Sequence, residues 1–156
     1  MLNAIYRRHP RYFASDLAAA WFVATIVSGL PSTLYAVATG GDPMAATRAA
    51  AAMLVNSASS APILLFAAAL VHSSISLFWA IVLILLLPGR HVIAFAMGAA
   101  AAIAVLDLRV IGRLFPEIHA LEFWPQFADH LLWGASLGWT LRLCSSKRAP
   151  ASRTFT

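Results

Sequence analysis

The sequence predicts an all-α integral membrane protein: a four-helix transmembrane bundle with a short amphipathic extracytoplasmic helix between the first two spans. Hydrophobic residues make up 61% of the 156 residues and charged residues only 11%, whereas soluble domains are about one quarter charged. Mean hydropathy is +0.79. The stretch from Pro62 to Leu87 contains no Asp, Glu, Lys or Arg. As a helix it extends roughly 39 Å, more than the ~30 Å hydrocarbon core of a bilayer.

The first span is predicted over residues 16–38. Its basic start and the Ala36–Ala38 motif are also typical of a cleavable signal peptide. The apolar run is too long for that, because a signal h-region has about 7–15 residues, so we expect a retained span. Pro31 lies within it and is expected to bend the helix, because proline has no N–H to donate to the preceding turn.

A turn over Gly40–Pro43 separates the first span from the second, which is predicted over residues 62–87. A helix starts after this turn and runs toward Asn56. It is too short and too polar to cross comfortably, so we place it outside the membrane. The three residues Pro88–Arg90 form a tight connection, which predicts that the second and third spans are antiparallel neighbours.

The third span is predicted over residues 91–112 and the fourth over residues 126–143. Both carry small residues at four-residue spacing: Ala94, Gly98 and Ala102 in the third, Gly134 and Gly138 in the fourth. Such faces let helix backbones approach closely in lipid. We therefore expect a homo-oligomer or a partner membrane subunit bound through the small-residue faces.

Residues 1–144 form one predicted domain, and residues 145–156 a disordered cytoplasmic tail. Lys and Arg are distributed unequally between the two sides of this topology. The side of the two termini has Arg7, Arg8, Arg11, Arg90, Arg142, Lys147, Arg148 and Arg153, and the other side has Arg48, Arg109 and Arg113. Both termini are therefore predicted to be cytoplasmic. The overall pattern resembles that of small multi-pass proteins of bacterial inner membranes, which implies that location but no residue's role.

Several function classes are disfavoured by the sequence. The net charge of +5 comes mainly from residues that flank apolar segments, so we expect no nucleic acid as partner and the lipid bilayer instead. The single Cys144 excludes an internal disulfide. No G-x-S-x-G, H-E-x-x-H or phosphate-loop motif is present, so no enzymatic activity and no catalytic residue is predicted.

Polar residues inside the predicted spans are the candidates for function. The predicted polar intramembrane centre consists of His72, Ser73, Ser76, Asp107, Arg109, Asp129 and His130. Lipid offers no hydrogen-bond partner, so these groups are expected to face the interior of the bundle. Their helical positions place most of them in the outward half of the membrane.

Three functional interpretations of this centre remain open. In the first, His72 and His130 bind haem as axial ligands, although helical rise separates them by roughly 5–10 Å in depth. In the second, imidazole and carboxylate groups near the outer surface bind a divalent metal, without a recognisable motif. These candidates are His119, Glu117, Glu122, Asp129 and His130. In the third, His72 relays protons, because imidazole changes charge near neutral pH.

A purely structural interpretation stands beside them. In it, the histidines donate hydrogen bonds to nearby carbonyls or serines, and Asp107 pairs with Arg109 or Arg113. The function we expect is that of an oligomeric transport-type or accessory membrane protein, with haem or metal binding through His72 and His130 as the alternative. We expect no cofactor, with haem as the alternative.

Overall fold

The computed structural model describes residues 12–56, 58–87 and 91–146, and this part of the chain is helical without strands. Seven α-helices follow one another there. They are α1 (Ala14–Val27), α2 (Leu30–Thr39), α3 (Ala45–Ala51), α4 (Ala61–Leu86), α5 (Val92–Val105), α6 (Pro116–His119) and α7 (Phe123–Ser146). A π-helical turn over Leu106–Val110 and a 3₁₀ turn over Ile111–Leu114 extend α5. The predicted all-helical class is therefore confirmed.

Three helical segments in the described residues are long and apolar enough to cross a membrane. They are Ala14–Thr39, Ala61–Leu86 and Val92–Leu114, with mean hydropathies of 1.6, 2.3 and 1.9. Each agrees with a predicted span to within about two residues at either end. The fourth predicted span corresponds to α7, which has 24 residues but is not among these three segments. These helices are compatible with a membrane protein.

The first of these segments is broken near its middle, where the sequence predicts a bend at Pro31. Helix α1 ends at Val27 and α2 begins at Leu30, with Pro31 in the first turn of α2. Proline fits this position because its missing N–H belongs to the donors that lack an intrahelical acceptor. Helix α2 ends at Thr39, and the capping residue Gly40 has a φ of 72°, the left-handed conformation that glycine tolerates best.

Helices α1 and α7 pack against each other at the centre of the bundle, with α4 against α1 and α5 against α7. One apolar core joins all four helices, and its fully buried residues are mostly Ala and Leu. They include Ala20 and Ala24 from α1, Ala80 from α4, Ala96 and Ala100 from α5, and Leu137 and Leu141 from α7. Small side chains at these contacts bring the helix axes close together.

The second and third spans were predicted to pack directly on each other. In the structure, the main contacts of α4 and α5 are with other helices. Helix α4 packs on α1 and α3, whereas α5 packs chiefly on α7. A short connection requires only that two helix ends lie near each other, and the central pair α1–α7 separates the bodies of α4 and α5. The connection Pro88–Arg90 itself lies outside the described residues.

The small residues of α5 and α7 are used differently from one another. Gly134 and Gly138 lie directly against α5, where an added Cβ would come within 2.6 Å of Ala100 Cβ and 2.8 Å of Ile93 Cα. Ala94, Gly98 and Ala102, predicted to form the contact face of α5, are exposed instead. The contact face is the one with Ala96 and Ala100. Eight of the 14 residues of α5 are Ala or Gly, so spacing alone does not select its buried face.

The two connections that contain α3 and α6 lie at the same end of the bundle, because α3 contacts α6. Helix α3, the predicted short helix between the first two spans, packs through Ala51 on Leu64, Ala67 and Ala68 of α4. At the other end, α7 includes Ser145 and Ser146, the first two residues of the predicted tail. Residues 147–156 lie outside the described part of the chain.

Candidate functional site

Ser76 joins three helices in the interior of the bundle. Its Oγ accepts a hydrogen bond from Trp133 Nε1 of α7 at 2.7 Å and lies 2.6 Å from Thr25 Oγ1 of α1. Ser76 and Trp133 are each 6% exposed. An indole N–H buried without an acceptor costs free energy, so the Ser76 hydroxyl stabilises the position of Trp133.

His72 lies one turn before Ser76 on α4, at the edge of the same cluster. Its Nε2 is 3.1 Å from the carbonyl oxygen of Thr25 and 3.0 Å from Ser28 Oγ. The Ser28 hydroxyl is also within 3.1 Å of the Thr25 carbonyl. A carbonyl only accepts, so we assign the proton to Nε2, which donates toward α1. The residue is exposed overall, but its ring nitrogen faces the protein.

Asp129 binds the break between α1 and α2. Its Oδ1 accepts the backbone N–H of Ser32 at 2.9 Å. That N–H lies in the first turn of α2, where no intrahelical carbonyl is available. The carboxylate also lies at the positive end of the α2 dipole. Asp129 is 9% exposed, and in the described residues neither Lys nor Arg forms an ion pair with it.

His130, the next residue of α7, faces the π-helical turn after α5. Its Nδ1 lies 2.8 Å from the carbonyl oxygen of Gln126, and its Nε2 lies 3.4 Å from Asp107 Oδ2. Because the Gln126 carbonyl only accepts, Nδ1 carries a proton. The Nε2 contact brings the imidazole of α7 and the carboxyl group of the π-helical turn together.

The remaining predicted centre residues do not join this network through their side chains. Ser73 contributes its backbone carbonyl, which accepts a hydrogen bond from Trp21 Nε1 at 3.1 Å. Arg109 is exposed, and its guanidinium carbon lies 4.4 Å from the ring centroid of Phe123, a cation–π contact. The predicted pairing of Asp107 with Arg109 or Arg113 is therefore wrong: Asp107 faces His130, since the π turn directs its carboxylate toward α7.

The histidines' partners bear on the haem interpretation. Both ring nitrogens of His130 lie within reach of protein oxygens, and Nε2 of His72 is directed at α1. Binding iron through these nitrogens would require the protein to give up the corresponding hydrogen bonds. For the metal interpretation, His119, Glu117 and Glu122 are exposed at the end of the bundle. The described residues contain no group of three or more His, Cys, Asp or Glu side chains placed to hold an ion.

We define the polar core as Thr25, Ser28, Ser32, His72, Ser76, Asp129 and Trp133. Four of these residues, Thr25, Ser28, Ser32 and Trp133, were not among the predicted centre residues. A signal for three of them exists in the sequence, since Thr25, Ser28 and Ser32 recur at three- and four-residue spacing. Among the described residues, every fully buried side-chain nitrogen and oxygen has a hydrogen-bond partner.

The fold and this core define a class: a helical protein with membrane-type helices that enclose a hydrogen-bonded polar network. A scan of protein-family models, a search of curated proteins and a search of solved structures each returned no match to the chain. The functional argument therefore rests on the residues themselves.

Proposed function

We propose that this chain is a small integral membrane protein of transport type, with four spans and no enzymatic activity, in which protons move through the polar core. The proposed location is a bacterial inner membrane with both termini cytoplasmic, on the distribution of Lys and Arg. The observation that carries the proposal is the hydrogen bond between Asp129 and the Ser32 N–H at a helix break.

The proposed fourth span is α7. Its 24 residues extend about 36 Å, enough to cross the hydrocarbon core. Its lower hydropathy comes partly from Gln126, Asp129 and His130, and two of these side chains contact α2 and the π-helical turn rather than the outer surface. A central helix surrounded by other helices needs fewer apolar residues than a peripheral one, which supports a crossing role for α7.

A broken helix with an ionisable group at its end is a common arrangement for binding ions and substrates in membrane transporters. Here the group is Asp129, and the next residue, His130, contacts Asp107 of the π-helical turn. A buried charged carboxylate without a cation is costly, whereas its protonated form is neutral. Proton uptake by Asp129 therefore weakens its bond to α2 and links protonation to the helix break.

Four helices enclose little volume, so the proposal includes a homo-oligomer or a partner membrane subunit. Gly134 and Gly138 are already covered by α5 within the chain. The face that remains for assembly is that of Ala94, Gly98 and Ala102, where a Cβ on Gly98 would meet no atom within 4 Å. Small exposed residues of this kind permit close packing by a second helix.

Proton flux into proteoliposomes tests the proposal. Purified protein is reconstituted with a pH-sensitive dye inside, and a potassium diffusion potential drives protons inward. We expect the native chain to acidify the vesicles faster than empty vesicles do. Asp129→Asn keeps an oxygen for the Ser32 N–H but does not titrate, so its flux should fall to the level of empty vesicles.

Glu122→Gln is the matched control, because it removes a carboxylate that is exposed at the end of the bundle. It should conduct as the native chain does. Equal flux in Asp129→Asn and native vesicles, with both proteins folded, would refute a role for Asp129 in proton movement. If vesicles with the native chain acidify no faster than empty vesicles, proton transport is refuted. The accessory role then remains, in which the polar core only stabilises the fold.

A further inference from the structure

A cavity of about 780 Å³ opens at the end of the bundle opposite α3 and α6. It lies where α5 begins and α7 ends, and Tyr12, which precedes α1, also lines it. Its volume is within the range of small-molecule sites, roughly 300–1,000 Å³. It is separate from the polar core, because none of the polar-core residues lines it.

One wall of this cavity is polar and cationic. Arg142 and Ser145 contribute from the last turns of α7, and His91 from the residue before α5. All six Asp and Glu residues of the chain lie in the described ranges, and none of them lines the cavity. The local charge therefore favours an anion.

Apolar side chains of α5 also line the cavity, namely Val92, Ile93, Ala94 and Met97. A free inorganic anion gains nothing from apolar contacts, whereas a lipid carries an acyl chain that makes such contacts as well as a phosphate. Basic pockets between helices at the cytoplasmic end of a membrane protein are typical sites for anionic headgroups. The guanidinium of Arg142 matches a phosphate group with two parallel donors.

We propose that this cavity binds an anionic phospholipid, with its phosphate at Arg142 and His91 and the start of an acyl chain against Val92 and Met97. The inference depends on the membrane location of the chain but not on proton transport. A lipid held there would bridge the ends of α5 and α7 and fix their separation at this end of the bundle.

Native mass spectrometry of the full chain tests the site. The detergent-solubilised protein is equilibrated with equimolar phosphatidylglycerol and phosphatidylethanolamine that carry identical acyl chains. We expect phosphatidylglycerol to be retained in preference. Arg142→Gln should lower its apparent affinity about tenfold, the effect of losing one charge-assisted hydrogen bond, and Arg142→Lys should retain part of it.

Arg113→Gln is the control, since Arg113 is an exposed arginine at the other end of the bundle. It should bind phosphatidylglycerol as the native chain does. Equal retention of the two lipids by the native chain, or equal losses in Arg142→Gln and Arg113→Gln, would overturn the proposal. So would displacement of phosphatidylglycerol by millimolar inorganic phosphate, because that result would assign the site to a free anion. His91→Gln provides a second variant and should also weaken retention.

Discussion

The carboxylate of Asp129 on α7 accepts the backbone N–H of Ser32 at 2.9 Å, across 97 residues of sequence. The break near Pro31 leaves this donor without an acceptor in its own helix, and Asp129 supplies one from the neighbouring helix. A defect in one helix is thus satisfied by a buried acid in another. The two features stabilise each other, and both lie at the polar core.

Removal of the Asp129 side chain should destabilise the fold more than its neutralisation. Asp129→Ala leaves the buried Ser32 N–H without an acceptor, and we expect a loss of about 1–3 kcal/mol in unfolding free energy. Asp129→Asn retains an amide oxygen and should lie within about 1 kcal/mol of the native chain. Thermal unfolding in detergent compares them. Equal losses of unfolding free energy in Asp129→Asn and Asp129→Ala would show that the side-chain oxygen does not stabilise the fold.

Ser76→Ala should disrupt the junction of α1, α4 and α7. The substitution removes the acceptor of Trp133 Nε1 and the partner of Thr25 Oγ1, at an expected cost of roughly 1–3 kcal/mol. Ser74→Ala is the matched control, because Ser74 is an exposed serine on the same helix. Trp fluorescence during denaturation measures the unfolding free energy of the two variants. Equal stability of the two variants would contradict the assigned role of Ser76.

Gly134→Ala should force α5 and α7 apart. The new Cβ would lie 2.6 Å from Ala100 Cβ and 2.7 Å from the carbonyl oxygen of Ala96, closer than atoms approach without movement. We expect a loss of about 1–3 kcal/mol, as for other overpacked cores. A Cβ on Gly98 meets no atom of the chain within 4 Å, so Gly98→Ala should leave the packing of α5 on α7 unchanged and, in the monomer, be neutral or stabilising by up to about 1 kcal/mol. A neutral Gly134→Ala would be inconsistent with the packing described.

Two substitutions of His72 distinguish a structural role of this residue from a functional one. His72→Ala loses the bond to the Thr25 carbonyl, so we expect about 1 kcal/mol lower stability and loss of proton flux in vesicles. His72→Gln retains an N–H donor but does not titrate. It should regain stability without regaining flux. Native flux in both variants would assign His72 to structure alone.

The sequence predicts the helices well and their partners poorly, for a physical reason. Span ends depend on local hydropathy and on Pro and Gly, so residues 62–87 and α4 agree closely. Helix pairing depends on contacts between distant segments, which local patterns do not encode. In α5, alanine occupies both the exposed position 94 and the buried position 96, so composition does not distinguish the two faces.

The polar core illustrates the same limit. His72, Ser76, Asp129 and His130 can be identified from their polarity in apolar segments, and the structure places them at helix contacts. The partner of Asp129 is a backbone N–H, and the types of side chain in a sequence do not reveal such a donor. Only the bend at Pro31 indicates that such a donor exists, and nothing local shows which acid reaches it.

Cysteine accessibility in sealed vesicles of known orientation tests the proposed four crossings most directly. In a Cys144→Ser background, single substitutions Asn3→Cys and Ser152→Cys report the chain ends, while Ala58→Cys and Ala120→Cys report the two connections near α3 and α6. An impermeant thiol reagent should label both chain ends from one face of the membrane and both connections from the other. Labelling of the two chain ends from opposite faces would contradict a membrane-crossing α7 and with it the proposed topology.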